Sequence, residues 1–268
     1  MASRTPLINV MVRAAERAGR ALIRDFGEVE QLQVSRKGPA DFVSNADLKA
    51  EKIVRYELSK ARPDYGFLME EGGFVHGKDN SNMWVIDPLD GTSNFLHGLP
   101  HFCVSVGLKR DGEAYAGVIF DPVKDEVFWA ERNLGSYLND RRIRVSYRPR
   151  LEEALLATGI PFALHEGTEA GSKFVSQLES VMYRTAGVRR FGSAALDLAY
   201  VAAGRYEGFW ENGLNPWDVA AGIVIVREAG GFVSEINGKR YELGAKDILA
   251  TNDSLHQKLQ SVLSSASQ

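Results

Sequence analysis

The chain has 268 residues, of which 44% are apolar and 25% are charged, and these proportions are typical of a soluble globular protein. Its 32 lysines and arginines stand against 35 aspartates and glutamates, which gives a net charge of −3. This balance argues against a general nucleic-acid-binding or anionic-membrane-binding protein. The single cysteine, Cys103, excludes an internal disulfide and a zinc site of the CxxC type, and it fits a reducing compartment.

The N-terminal segment MASRTPLINVMVRAAERAGRALIRDFG lacks the continuous apolar run of a signal peptide. Its apolar residues recur at helical spacing instead, which predicts an amphipathic first helix. The residues in this pattern are Leu7, Val10, Met11, Ala14, Ala18, Ala21 and Leu22. No apolar run in the chain approaches the roughly 18 residues of a membrane span. We therefore expect a cytoplasmic protein that does not contact membranes.

The first half of the chain continues with a helix and then a series of strands. Asn45 can cap a second helix that runs to about Ala61. GFLMEE reads as a strand that ends in two acids, GGFVHGKDNSNM as a polar loop, and WVID as a buried strand. From Phe102 to Glu131 apolar segments are joined by the turn signal Asp111-Gly112, which predicts antiparallel strands.

The second half alternates between strands and helices. Short strands are predicted near residues 136–138, 155–158 and 188–191, and later in YEGFWE, FVSEI and DILATN. Ser193 can cap a helix in GSAALDLAYVAAG, Asn215 and Pro216 begin a helix in NPWDVAAGIVIVREAGG, and a final helix follows Ser254. Antiparallel hairpins mixed with this alternation predict a layered α/β protein. We expect one domain over residues 1–268, with two lobes possible at about 1–150 and 151–268.

Several acids lie at abrupt places in these elements, where a strand ends or a helix begins. They are Asp47, Glu70, Glu71, Asp87, Asp90 and Asp218. Taken singly, an acid in a first helical turn complements the helix dipole, and a glutamate at a strand end is a solvated charge. Asp87 and Asp90 are harder to explain in this way, because Gly91, Thr92 and a short helix follow them. A helix start attracts an anion such as phosphate, which clustered carboxylates would repel unless hard cations such as Mg²⁺ lay between them.

Other motifs give no competing site. The five histidines show no close ligand spacing, which argues against a zinc or non-haem iron centre. They are His76, His97, His101, His165 and His256. GTEAGSK is one residue short of a phosphate-binding P-loop and follows no clear strand. Two aspartates that hold metal for a phosphate therefore remain the interpretation of the 87–90 stretch.

Two long stretches of the chain resemble the signature motifs of the inositol monophosphatase family. WVIDPLDGTSNF, followed by LPHFCVSVGL, resembles the first motif, and NPWDVAAGIVIVREAGG resembles the second, in the same order and at a similar separation. KGPADFVSNAD, MEEGG, ATGIPF and FGSAALDLAYVAAGRYEGFWENGLNPWD are also similar to family segments. The resemblance thus covers nearly the whole chain, and it is strongest to the bacterial SuhB-type members. It implies an α-β-α-β-α sandwich of the inositol monophosphatase and fructose-1,6-bisphosphatase type.

The resemblance also implies roles for individual residues. It implies that two to three Mg²⁺ ions are held by Glu70, Asp87, the Leu89 carbonyl, Asp90 and Asp218. It implies catalytic roles for Glu70, Thr92 and Asp47, with Thr92 and Asp47 orienting and helping to deprotonate the attacking water. Phosphate would meet the N–H groups of Gly91 and Thr92, and the alcohol would contact Asp90, Gly192, Ser193, Ala194 and Glu211. The family is usually homodimeric and typically inhibited by Li⁺.

The implied activity is Mg²⁺-dependent hydrolysis of myo-inositol 1-phosphate by a metal-activated water. Related enzymes act on fructose 1,6-bisphosphate, histidinol phosphate or 3′-phosphoadenosine phosphate, and Glu211 with residues 192–194 would discriminate among them. Asn215-Pro216 departs from the residues of animal members, which puts the identity of the alcohol in doubt. A second hypothesis is a SuhB-type partner of RNA polymerase and its elongation factors, acting through a protein surface without direct contact to nucleic acid.

Overall fold

Two large β-sheets alternate with three layers of helices. The computed structural model describes residues 4–28, 34–38, 41–160 and 168–266. The layers follow the order of two N-terminal helices, an eight-stranded sheet, a second pair of helices, a five-stranded sheet and a third pair of helices. Three clusters of buried apolar side chains fill the spaces between these layers. The expected α-β-α-β-α sandwich is confirmed.

The outermost helical layer consists of α1 (Pro6–Phe26) and α2 (Asn45–Ala61), and a hairpin of β1 (Val34–Gly38) and β2 (Asp41–Ser44) precedes α2. The helical spacing predicted for α1 is confirmed, because its apolar stripe is buried against the sheet. The predicted cap of α2 is wrong by one residue. The Ser44 side chain accepts a hydrogen bond from the Ala46 N–H, and Asn45 is already helical. A hydroxyl at residue 44 caps because the next turn supplies Asp47, which binds back to Ser44.

The eight-stranded sheet has the order β10-β9-β8-β7-β6-β5-β3-β4 and is antiparallel except for the pair β3 and β5. The turn predicted at Asp111-Gly112 joins β6 to β7. The predicted polar loop at 72–83 is partly wrong, because it holds the edge strand β4, which is only three residues long, and the polar start of β5. The strands are β3 (Tyr65–Met69), β4 (Gly73–Val75), β5 (Asp79–Asp90), β6 (Cys103–Arg110), β7 (Glu113–Asp121), β8 (Glu126–Glu131), β9 (Gly135–Leu138) and β10 (Arg141–Ile143).

The middle helical layer lies between the two sheets. It consists of α5 (Ala194–Ala202), which Ser193 caps as predicted, and α6 (Pro216–Glu228). α6 packs on β6 and β7 at two glycines. A Cβ on Gly117 would overlap the backbone of Ala221, and one on Gly107 would lie 2.8 Å from the Cβ of Ala220. The helix backbone therefore rests directly on the sheet.

The five-stranded sheet has the order β12-β11-β13-β15-β14. Its strands are β11 (Leu155–Thr158), β12 (Gly187–Arg189), β13 (Gly208–Asn212), β14 (Phe232–Ser234) and β15 (Asp247–Thr251). The remaining helices are α3 (Thr92–Leu96), α4 (Glu169–Met182) and α7 (His256–Ser265). The strand predicted at 188–191 ends at Arg189, and the last helix begins after a 3₁₀ turn at Asp253–Leu255. α4 was not predicted, although Thr168 caps it through the Gly171 N–H.

Some sequence predictions fall outside the described residues. These are Pro39 and Ala40 of KGPADFVSNAD, Pro161 and Phe162 of ATGIPF, His165, and Gly167 of GTEAGSK. Within the described part of the chain, no helix combines the length and the apolar character that crossing a bilayer would need.

Candidate active site

A pocket with a volume of about 120 Å³ opens where β5 ends and where α3, α5 and α6 begin. Every metal-ligating and substrate-binding residue expected from the sequence lies in its wall. These are Glu70, Asp87, Leu89, Asp90, Gly91, Thr92, Gly192, Ser193, Ala194, Glu211 and Asp218. Asp47, the remaining expected residue, lies behind Thr92. The two strand-end glutamates separate here, since Glu70 lines the pocket and the Glu71 N–H donates to Glu51 Oε2 at 2.9 Å.

The end of β5 turns two aspartates into the pocket. β5 pairs with β6 in register as far as Asp87, and the register shifts before Asp90, because Pro88 cannot donate to the ladder. The Leu89 N–H donates to Asp87 Oδ1 at 3.0 Å, which orients that carboxyl. Gly91 then adopts a left-handed φ of 96° and caps α3, a conformation that a residue with a Cβ rarely adopts. The bulge, the proline and the glycine thus aim both carboxyls at one side.

Asp90 is held by the start of α5. Its Oδ2 accepts hydrogen bonds from Ser193 Oγ at 2.6 Å and from the Ala195 N–H at 2.7 Å. Residues 192–194 therefore line the pocket as expected, and Ser193 also positions Asp90. Burial raises the pKa of Asp90 from its ordinary value, and the hydrogen bonds from Ser193 and Ala195 oppose that rise.

Asp218 enters the pocket from the first turn of α6. The Asn215 N–H donates to Asp218 Oδ2 at 2.7 Å, in the capping arrangement predicted for this helix start. The pKa of Asp218 is raised to about 8, mainly by burial and also by the neighbouring Asp90 and Glu70, although the hydrogen bond from Asn215 opposes the rise. The capping role and a place in the pocket are thus combined in one side chain.

The carboxyls in this part of the pocket repel one another. Burial raises the pKa of Asp87 well above its usual range, and Glu70, Asp90 and Asp218 raise it further. Carboxyls are hard oxygen donors of the kind that Mg²⁺ prefers, and a cation between them would offset both the burial and the repulsion. As they stand, no three His, Cys, Asp or Glu side chains among the described residues converge on one point that would hold a metal. The donor set therefore fits a divalent cation in its chemistry, and Asp90 and Asp218 each have one oxygen held by an N–H donor.

A hydroxyl lies next to these carboxyls. Thr92 Oγ1 lies 3.1 Å from Asp47 Oδ1 and 3.0 Å from the carbonyl oxygen of Leu89. Asp47 is fully buried, and its other oxygen, Oδ2, accepts from the N–H and the hydroxyl of Ser44. Burial raises the pKa of Asp47, and the hydrogen bonds from Ser44 and Thr92 oppose that rise. The arrangement places a hydroxyl of the pocket wall next to a buried carboxyl.

The opposite wall carries two more acids and one cation. Glu211 at the end of β13 packs against Gly159, where a Cβ would overlap its carboxylate. Asp197 of α5 is 1% exposed, and its Oδ1 has no hydrogen-bond partner among the described residues. Burial raises the pKa of Glu211 to about 8 and the pKa of Asp197 well above its usual range, and Arg190 lowers both.

The sequence reasoning missed Asp197, Arg190 and Gly159. Asp197 did leave a signal, because it is the one charged residue in the apolar stretch AALDLAYVAA. Gly159 left none, because nothing local shows that a glutamate more than fifty residues later occupies the space of its absent side chain. Arg190 lies in the extended segment before Ser193, and only the fold brings it to the pocket.

Comparison with known proteins gives a consistent result. A model described as "Inositol monophosphatase family" matches residues 3–268. An "Inositol-1-monophosphatase" of Mesorhizobium japonicum is 54% identical over 96% of each chain, and a "Nus factor SuhB" of Pseudomonas aeruginosa is 45% identical over 92% of each. The crystal structure of "extragenic suppressor protein suhB" from Bartonella henselae superposes with a TM-score of 0.92 at 54% identity, covering 97% of this chain and 98% of that one.

Proposed function

The chain belongs to the inositol monophosphatase family, and on that premise we propose that it is a Mg²⁺-dependent phosphatase that hydrolyses myo-inositol 1-phosphate. The observation that carries the proposal is the acidic pocket, in which four mutually repelling carboxyls lie beside a hydroxyl paired with a buried aspartate. Such a pocket suits a phosphate ester only if cations accompany the substrate. Phosphoryl transfer needs positioning and charge neutralisation more than a covalent nucleophile.

Glu70, Asp87, Asp90, Asp218 and the Leu89 carbonyl would hold two to three Mg²⁺ ions. Bound there, Mg²⁺ would supply positive charge that offsets the phosphate and favours deprotonation of an attacking water. The protein fixes these ligands in advance, because Asp90 is hydrogen-bonded to Ser193 and Asp218 to Asn215.

Thr92 and Asp47 would then handle the proton. Thr92 Oγ1 donates to Asp47 Oδ1 and can in turn accept a hydrogen bond from water in the pocket. Burial makes Asp47 more basic than an exposed aspartate, so it can accept a proton passed through the hydroxyl. Glu70 borders the same space.

The alcohol would lie toward the opposite wall. The N–H groups of Gly91 and Thr92 would bind phosphate oxygens, and Glu211 with residues 192–194 would contact the ring hydroxyls. A carboxylate recognises a polyol because it accepts hydrogen bonds from two hydroxyls at once. Fructose 1,6-bisphosphate, histidinol phosphate and 3′-phosphoadenosine phosphate remain the alternative substrates.

The finer expectations belong to this proposal as well. We propose one domain over residues 1–268, since the middle core combines Ile119 and Phe128 with Leu198 and Ile225 from the other lobe. A homodimer, a cytoplasmic location and inhibition by Li⁺ follow from the family resemblance. The relatives named "Nus factor SuhB" favour a second candidate function, contact with RNA polymerase and its elongation factors, which does not exclude catalysis.

Phosphate release from myo-inositol 1-phosphate and fructose 1,6-bisphosphate, with and without Mg²⁺, tests the main proposal. We expect Mg²⁺-dependent release from the inositol ester that exceeds release from the bisphosphate. Comparable rates would mean a broad sugar phosphatase. No release from either ester at any Mg²⁺ concentration would contradict the proposed substrate, and a pulldown with RNA polymerase and its elongation factors would then test the second candidate.

A further inference from the structure

Four arginines form a row along the solvent face of α1. Arg13, Arg17, Arg20 and Arg24 recur at intervals of four, three and four residues, and all of them are exposed. This spacing keeps side chains on one side of a helix, opposite the stripe that packs on the sheet. At a rise of about 1.5 Å per residue, the row is ~16 Å long. It gives a locally basic surface on a chain whose net charge is −3.

The row borders a groove between α1 and α2 with a volume of about 680 Å³. Lys52 adds a further cation from α2, and Ile53 and Tyr56 contribute apolar surface to the lining. Tyr56 is 61% exposed, although it is a large aromatic residue. We call this feature the arginine groove; it is lined by Arg17, Arg20, Arg24, Lys52, Ile53, Tyr56 and Glu57.

Nearby acids neutralise only part of this charge. Glu57 pairs with Arg13 and Arg17 and is almost fully buried beneath them. Glu16 pairs with Arg20 at 3.8 Å. Arg24 and Lys52 have no ion-pair partner in the part of the chain that the structure describes. The surface therefore retains a positive excess.

A solvated helix face is the simplest account of such charges, but it explains neither the groove nor the exposed tyrosine. A second copy of this chain is a poor occupant, because a twofold contact would set one arginine row against another. A lipid surface is also disfavoured, because Ile53 and Tyr56 are the two apolar side chains in the lining, too few for insertion into a bilayer. A polyanion that follows a track of cations fits better.

We propose that the arginine groove binds single-stranded nucleic acid. Guanidinium groups suit phosphates because their planar donors bind two oxygens at once, and four of the aligned cations are arginines. An exposed tyrosine between cations provides a face on which a base can stack. The composition of the whole chain argues against general nucleic-acid binding, and the arginine groove is a local exception. The groove shares no lining residue with the acidic pocket.

Fluorescence anisotropy of the full chain with a labelled 12-nucleotide oligouridylate tests the proposal. We expect saturable binding in 50 mM salt. With three to four phosphate contacts, raising the salt to 200 mM should weaken binding roughly 20- to 50-fold. The triple variant Arg20→Glu/Arg24→Glu/Lys52→Glu should bind at least about 10-fold more weakly and with a shallower salt dependence.

A matched control keeps the change in net charge the same. Arg141→Glu/Arg144→Glu/Lys239→Glu replaces two exposed arginines and one exposed lysine away from the groove, and it should change binding less than about 3-fold. The neutral triple Arg20→Gln/Arg24→Gln/Lys52→Gln should show an intermediate loss of binding. It also controls for the new repulsion from Glu16 that a glutamate at residue 20 would introduce. Both groove variants should retain the wild-type melting temperature and phosphatase rate, because they leave the acidic pocket intact.

Three outcomes would overturn the proposal. The first is no binding of the oligouridylate by the wild-type chain at 50 mM salt. The second is an equal loss in the groove variant and the matched control, which would mean that net charge alone governs binding. The third is that polyglutamate or vesicles of anionic lipid bind more tightly than the oligouridylate, which would assign the groove to an acidic protein or a membrane.

Discussion

The two walls of the acidic pocket hold their carboxyls in different ways. On the wall built from β5, α2 and α6, hydrogen-bond donors orient each aspartate: Ser44 for Asp47, Ser193 and Ala195 for Asp90, and Asn215 for Asp218. On the opposite wall, Asp197 Oδ1 lacks a partner among the described residues, and Glu211 rests in the space beside Gly159. Anchored carboxyls keep one geometry before any ligand arrives, whereas packed ones can adjust. We call the wall with Asp47, Asp90 and Asp218 the anchored wall and the wall with Asp197 and Glu211 the adjustable wall. We expect the anchored wall to control turnover and the adjustable wall to control which alcohol is accepted.

The largest effect should come from Asp90→Asn on the anchored wall. Asparagine keeps an acceptor oxygen for Ser193 and Ala195, so the fold should persist while one negative charge is lost. Activity should fall on the order of 10³-fold or more, because charge stabilisation of the transition state is impaired. In EDTA the melting temperature should rise by a few degrees, equivalent to about 1 kcal/mol, because repulsion with Asp87 is relieved.

Asp125→Asn, at an exposed turn, is the control for this prediction and should leave both quantities unchanged. Activity retained in Asp90→Asn would show that the anchored wall does not carry the reaction. A lower melting temperature in EDTA would show that Asp90 stabilises the apo fold, against the direction given by its raised pKa.

Thr92→Val tests whether the hydroxyl beside Asp47 moves a proton. The change removes the contact to Asp47 Oδ1 but keeps the shape of the side chain. We expect kcat to fall roughly 10²-fold with little change in Mg²⁺ affinity, as for the loss of general base assistance. Thr92→Ser should restore most of the rate because it keeps the oxygen. If serine fails where valine fails, the methyl group and not the hydroxyl would be the important part of the residue.

Gly159→Ala tests the adjustable wall. The new Cβ would overlap the Glu211 carboxylate and displace it. We expect KM for the inositol ester to rise about 10-fold with kcat nearly unchanged, because alcohol binding is weakened while the anchored wall is untouched. p-Nitrophenyl phosphate offers no hydroxyls to Glu211, so its hydrolysis should be insensitive. Equal losses on both esters would mean that the alanine had disturbed the whole pocket.

The smallest effect concerns the stability of the metal-free protein as a function of pH. Burial raises the pKa of Glu211 from 4.5 to about 8, so the folded state holds a proton that the unfolded chain releases. The stability from this group is full below pH 4.5 and is lost as the pH rises toward 8. Glu211→Gln should remove on the order of 1 kcal/mol of this decline, measured by urea unfolding in EDTA at pH 5 and pH 8.

Asp218, with its similarly raised pKa, would account for the decline that remains in Glu211→Gln. Glu242→Gln, at an exposed glutamate, should keep the full slope. If Glu211→Gln leaves the pH dependence of stability unchanged, the Glu211 carboxyl must be ionised in the folded protein.

One wall of the pocket could be predicted from the sequence because neighbouring residues determine its geometry. Asp87, Asp90, Gly91 and Thr92 lie within six residues of one another, and a proline, a glycine and a helix start set their directions locally. The second motif placed Asp218 in the first turn of α6 through the same local capping chemistry. Local rules of this kind are visible in a sequence, so this wall could be named in advance.

The opposite wall depends on packing between distant segments. Gly159 matters only because β11 and β13 are neighbours and Glu211 follows at the end of β13. The cap at Ser44 and the edge strand β4 were missed because their segments are short, whereas α4 carries Phe174 and Val181 at helical spacing and could have been predicted. The spacing of the arginines on α1 can be read from the sequence. The groove that they form with Lys52 and Tyr56 cannot, because it depends on how two helices pack.

The contact of α6 with Gly107 and Gly117 has a consequence for how the protein can diverge. At Gly117 the main chain of the helix meets the sheet directly, and at Gly107 only the Cβ of Ala220 lies between the helix and β6, the strand next to β5. We therefore expect that exchange of apolar residues elsewhere in the two adjoining cores leaves the spacing of the carboxyls in the acidic pocket unchanged. The two glycines fix the distance between α6 and the sheet. A larger residue at either position would push the whole helix, and Asp218 with it, away from the sheet.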